Sequence, residues 1–152
     1  MDSNHETVYL AALNKCFTGE WKTARQLLEY ARTAYNAFHL DRRTLENLLP
    51  GMDTAIGRLC STELVDKASA ELEYCRREGI EVISIADDGY PARLAETPDA
   101  PLAIFKRGSR KANGSRFLAV VGTRHASQYS KKYCDMLAEH LASLKNKPVI
   151  VS

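Results

Sequence analysis

Residues 117–151 constrain the fold more tightly than any other stretch of the chain. The apolar run "FLAVVG" passes through Thr123 and Arg124 into a pattern in which Tyr133, Leu137, Leu141 and Leu144 recur at three- and four-residue spacing. A second apolar run, "PVIVS", follows. Short β-branched runs bounded by turn residues read as strands, and the recurring positions read as the buried stripe of a helix starting near Ser127. Strand, helix and strand in about thirty residues make a crossover, the connection that parallel strands require. The expected architecture is an α/β fold with a parallel sheet of the doubly wound kind. That sheet is unfinished at Ser152, so the chain is expected to be a truncated piece of something longer.

Upstream the texture is different. Residues 1–62 carry no strand signal and read as short helices in "TVYLAALNKC", "EWKTARQLLEYARTAYNAF", "DRRTLENLL" and "DTAIGRL", with Ala24, Leu27, Leu28 and Ala31 on one face. Breaks at Thr18-Gly19 and Leu49-Pro50-Gly51 divide them into small helical hairpins. "LLPGMDTAIGRL" has the outline of a helix-hairpin-helix, whose glycine-rich turn offers amides to phosphate. Asp53 stands where such hairpins carry a second glycine, and its charge would repel phosphate. A purely structural helical cap and a DNA contact are both open for this module. Beyond residue 62, "STELVDKASAELEYCRREG" is a punctuated helix with Leu64, Val65, Ala68, Leu72 and Cys75 on one face. The runs "IEVISIA" and "PLAIFKRG" read as further strands. The expected division is a helical module at 1–62 and an incomplete parallel-sheet α/β part at 63–152.

Composition narrows the function. With 152 residues, 45% of them hydrophobic and 26% charged, the chain is an ordinary globular protein able to bury a core. No apolar run approaches the roughly 20 residues of a membrane span, and the start "MDSNHETVYL" lacks a signal-peptide pattern, so a cytoplasmic location without membrane contact is expected. Cys16, Cys60, Cys75 and Cys134 form no C-x-x-C pair and are expected as reduced core thiols; the histidines show no ligand spacing. Neither metal nor cofactor is implied. The net charge of +2 conceals an asymmetry: between Ala100 and Cys134 there are eight Lys and Arg and no Asp or Glu, while the other 13 basic residues face all 19 acids. Such a basic stretch is the footprint of a polyanion-binding face, or else a solvated loop and helix face. Arg107, Arg110, Lys111 and Arg116 fall in the glycine- and serine-rich arm "KRGSRKANGSR", a loop able to meet a phosphate backbone. Phe105 and Phe117 beside it are expected to face the core.

In open α/β sheets the ligand crevice lies beyond the carboxyl ends of the strands, the position held by Gly122 to Ser127. Glycine permits a tight turn and close approach, Thr123 and Ser127 offer hydroxyls, and Arg124 is a bidentate phosphate donor beside helix-start amides. Tyr129 is the aromatic placed for base stacking, and Lys131 adds charge. His125 is expected as an exposed turn residue. The structural alternative has Gly122 only turning, Ser127 only capping and Arg124 paired with a carboxylate. G-x-G-x-x-G and G-x-x-x-x-G-K are both missing, so neither a dinucleotide fingerprint nor a P-loop is present.

The stretch "LAVVGTRHASQYSKKYCDMLAEHLA" with "PVIVS" resembles the DNA-processing protein A family (DprA, or Smf), whose Rossmann-like domain has a strand, a G-[ST]-R turn, a Ser-x-Tyr-Gly helix start and a second strand, so residues 63–152 are expected to be an incomplete Rossmann-like DNA-binding domain. "DDGYPARLAETPDAPLAIFKRG" is similar to the same family's Tyr-Pro…Leu…Pro-Pro…Leu…Gly stretch, and the helical opening resembles its SAM-like or helix-hairpin-helix module. The departures are Ser130 for the usual glycine, Asp99-Ala100-Pro101 for Pro-Pro, and Asn146-Lys147 before the second strand. The family's next glycine-rich segment and a further DNA-binding lysine would fall past Ser152. The resemblance implies a non-enzymatic protein of natural transformation that binds single-stranded DNA without sequence preference and loads RecA recombinase. It also implies a homodimer, with Arg124 as the DNA-contacting arginine and Gly122, Thr123 and Ser127 as the phosphate cradle. Two other classes stay open. One is a nucleotide-binding hydrolase of the nucleoside-monophosphate phosphoribohydrolase type, although residues 119–130 hold no Asp or Glu to act as acid or base. The other is a purely protein-docking role for the helical region.

Overall fold

A computed structural model describes residues 3–108 and 116–152. The chain divides into compact units Met1–Lys111 and Ala112–Ser152. In the first, helix α1 (Ser3–Cys16) is central: Leu10, Ala11, Ala12 and Leu13 are all buried, so it has no continuous polar face in its middle. Around it lie α2 (Trp21–Ala31), α3 (Ala34–Phe38), α4 (Arg42–Leu48), α5 (Asp53–Leu59) and α6 (Glu63–Arg77). Leu13, Phe17, Leu27, Leu45, Leu49, Ile56 and Leu59 form the main core, while Ala11 and Ala12 let α6 approach through Ala68 and Leu72.

The expected helix over "EWKTARQLLEYARTAYNAF" is two helices. Arg32 takes a left-handed φ of 70° and returns its amide to the Leu28 carbonyl, which ends α2. Thr33 then caps α3 by accepting from the Asn36 amide at 3.0 Å. Glu6 on α1 accepts the Ala34 and Tyr35 amides, so a carboxylate from another helix holds the new start. A Gly51 φ of 77° makes the turn between α4 and α5, and Asp41 caps α4 through the Thr44 amide and hydroxyl. Those bonds, the hydroxyl's first, hold the Asp41 carboxyl below its usual range.

Helix α6 buries the expected Ala68, Leu72 and Cys75, with Leu64 and Val65 half-buried. Gly79 follows at a φ of 64°, and β1 (Ile80–Ser84) pairs antiparallel with β2 (Ala103–Arg107) from Ile80↔Arg107 to Ser84↔Ala103. The segment between them, with the short α7 (Ala92–Ala95), is tied down at both ends. The Tyr90 hydroxyl donates to the Pro101 carbonyl at 2.7 Å, and Arg25 of α2 donates to the Thr97 carbonyl at 3.1 Å. Leu102 and Ala103 enter the helical core itself. The expected boundary at 62/63 thus falls between α5 and α6, inside the first compact unit.

The second unit is the crossover read from the sequence. Strands β3 (Phe117–Ala119) and β4 (Val149–Val151) are parallel, with Phe117 opposite Val149, and α8 (Gln128–Ser143) joins them. The ladder is extended by Val120 donating to Val151 at 2.8 Å and Val149 donating to Arg116 at 2.8 Å. The parallel expectation therefore holds for this pair, while β1 and β2 form a separate antiparallel pair.

Three burial expectations are corrected. Phe105 is 46% exposed, because β2 packs one face only. Cys60 and Cys134 are exposed, leaving Cys16 and Cys75 as the core thiols. The α8 stripe is not buried: Leu137 and Leu141 are half-buried, and Tyr133 and Leu144 are exposed, because two short strands cannot cover a sixteen-residue helix.

Candidate functional site

The turn from β3 to α8 lies beyond the carboxyl end of β3, and every residue from Val121 to Lys132 is exposed. Ser127 is the N-cap of α8 and accepts from the Ser130 amide at 3.1 Å; its hydroxyl also meets the Ser130 hydroxyl at 2.9 Å. The capping role that the sequence left open is realised. Ser127 therefore shapes the helix start, while Gln128 and Tyr129 keep first-turn amides with no intrahelical acceptor. Thr123 donates its hydroxyl to the His125 carbonyl at 3.1 Å, which folds the turn back on itself and leaves the hydroxyl oxygen as an acceptor.

Arg124 makes no ion pair among the described residues. The alternative in which its guanidinium satisfies a nearby carboxylate is not realised, and the side chain is available to an external anion. Lys131 and Lys132 are likewise exposed and unpaired among the described residues. Lys106, in the same basic stretch, is different: it sits directly across from Glu81 in the β1–β2 register and bonds it at 2.8 Å, so its charge is spent within the fold.

Gly122 behaves otherwise than the turn argument expects. Its φ is not in the left-handed region, and a Cβ built on it would meet nothing within 4 Å. The fold does not need glycine there, so any requirement must come from a ligand approaching the backbone.

The structure brings Gly122, Thr123, Arg124, Ser127, Tyr129 and Lys131 onto one turn and the helix start that follows it. Arg107 ends β2 in the first unit and Arg116 precedes β3 in the second; both are exposed. Arg110 and Lys111 lie outside the described residues. A residue that the sequence reading assigned to the core joins the site's surroundings: Tyr133, one helical turn after Tyr129, with its ring tilted only 24° from that of Tyr129. Its signal was the four-residue spacing of two tyrosines, which reads equally well as a buried stripe. Both rings line a groove of about 330 Å³ with Leu118, Val121 and Leu137.

The parallel strand–helix–strand unit, with a cationic, hydroxyl-bearing turn beyond its first strand, belongs to the α/β class. Residues 81–152, a little under half of the chain, match the family model of DNA recombination-mediator protein A. The match spans β1 to β4 and supports a role in DNA recombination in general terms. No curated protein and no solved structure matches the chain. No described helix is long and apolar enough to cross a membrane.

Proposed function

We propose that the chain is a DNA recombination mediator that holds single-stranded DNA by its sugar-phosphate backbone at the β3–α8 turn. The observation that carries this reading is Arg124, exposed and without a carboxylate partner among the described residues, at the end of a strand within the matched segment. Arg124 supplies a forked donor, the Gln128 and Tyr129 amides add neutral donors, and Lys131 and Lys132 extend the positive field along α8. Backbone contacts of this kind carry no sequence information, so binding is sequence-independent. Arg116 and Arg107, with Arg110 and Lys111, provide further phosphate contacts. The family resemblance extends the reading to loading of RecA recombinase, to a homodimer and to a cytoplasmic, non-enzymatic protein. Residues 63–152 act as the DNA-binding part and 1–62 as an accessory helical module.

A fluorescent oligothymidylate titrated across a salt series tests this. The three cationic contacts of the turn and helix start alone give a slope of about −2 in log K against log salt, at about −0.7 per contact on single strands, and the further contacts steepen it. Arg124→Ala is expected to weaken binding about tenfold and to flatten the slope by about 0.7. Unchanged affinity in that variant, or binding indifferent to salt, would overturn the reading. Turnover of nucleoside monophosphates would favour the hydrolase instead.

A further inference from the structure

Tyr129 and Tyr133 are 78% and 58% exposed, large fractions for aromatic rings on a helix that has an apolar groove beside it. Their ring centroids stand 6.5 Å apart at an interplanar angle of 24°. The helix itself sets this spacing, since four residues rise about 6 Å and bring i and i+4 to the same face. Flat rings in van der Waals contact lie about 3.5 Å apart, so two such contacts need about 7 Å. The centroid separation is the most that the gap between the two planes can be, so the rings open by at least about 0.5 Å, through their side-chain torsions, to admit one flat ring between them. Neither phenol hydroxyl is engaged with another described residue. The groove beneath, about 330 Å³, is within the range of small-ligand clefts and is walled by Leu118, Val121 and Leu137.

We propose that Tyr129 and Tyr133 clamp one unpaired nucleobase between their rings while the turn at 122–127 holds the adjoining phosphate. The clamp rests on the single-stranded DNA reading above and adds what backbone contacts lack, a preference for unpaired over paired DNA. A base inside a duplex already has neighbours on both faces and cannot enter the gap. Stacking accepts any base, so the preference for single strands comes without a preference for sequence.

The full chain, its Tyr133→Leu, Tyr133→Phe and Arg124→Ala variants are titrated with three probes: oligothymidylate, an abasic sugar-phosphate oligomer of equal length, and a duplex. Circular dichroism checks that each variant keeps its helices. Tyr133→Leu is expected to weaken oligothymidylate binding about tenfold. Tyr133→Phe stays within about twofold of wild type, because the ring and not the hydroxyl stacks. The abasic oligomer binds wild type and Tyr133→Leu alike. Equal oligothymidylate affinity in wild type and Tyr133→Leu, with Arg124→Ala still impaired, overturns the clamp and leaves backbone binding standing. Absence of salt-dependent binding by the wild-type chain to every probe overturns both.

Discussion

Asn14 shows how much one side chain can organise. From the last turn of α1 its carbonyl accepts the amides of Leu102 and Ala103 at 2.9 and 3.3 Å, and its amide donates to the Ala103 carbonyl at 3.1 Å. Removing it strands three backbone groups in a part-buried place, which costs about 2–3 kcal/mol. Asn14→Ala is therefore expected to lower the unfolding free energy measured in urea by that amount without changing the DNA-binding turn. Gly122→Ala tests the opposite case. Its added methyl meets no neighbour, so stability should stay within about 0.5 kcal/mol, while binding of single-stranded DNA weakens because the methyl obstructs a phosphate at the backbone. A variant that binds as well as wild type would show that Gly122 only turns the chain. Ser127 was legible in the sequence because capping is a contact between near neighbours. Asn14 was not, because its partners lie far along the chain and only the packing of β2 on α1 brings them together.

Strand β2 joins two environments. Its approach enters the helical core at Leu102, which is fully buried, whereas Phe105 is 46% exposed. Leu102→Ala should cost about 3 kcal/mol in chemical denaturation through loss of buried area and the cavity left behind. Phe105→Ala, on the same extended segment, should cost about 1 kcal/mol or less, since it removes strand preference and little packing. Equal losses would mean that the exposed ring has a partner. The pattern of the sequence marked β1, β2, β3, β4, α6 and α8, since each has its own apolar period and breaking residues. It did not show where α2 ends: the capping groups that divide α2 from α3 include Glu6, on a different helix. Nor did it show that the stripe of α8 stays largely uncovered, because periodicity identifies an apolar face and says nothing about what packs on it.

Taken as one folded body, the helical unit should lose stability at its core as pH rises into the alkaline range. Burial pushes the Cys16 thiol from the ordinary 9.0 up to about 11, with Arg58 opposing. Burial also raises Tyr90, with Arg25 opposing. Both groups are neutral when protonated, and the fold favours that form. Their contribution to stability is complete below the unfolded-state values and is lost as pH rises through the folded ones. The melting temperature should therefore fall between pH 9.0 and about 11, and Cys16→Ala, with the titrating thiol removed, should fall less steeply over the same interval. Parallel slopes for the two proteins would assign the alkaline loss to other groups.

The sequence by itself determined the local vocabulary of this protein: which segments are helices or strands, where Ser127 caps, and that a cationic turn follows a strand. These depend on periodicity, turn chemistry and charge, all carried by neighbouring residues. Tertiary structure decided that Leu102 and Ala103 complete a core begun by α1 and that Glu6 holds the start of α3. It also decided that Arg124 is left without a carboxylate partner among the described residues and that Tyr133 stands in the open opposite Tyr129. Each of these depends on which distant groups come within a few ångströms of one another, and that distance is set only when the chain is packed.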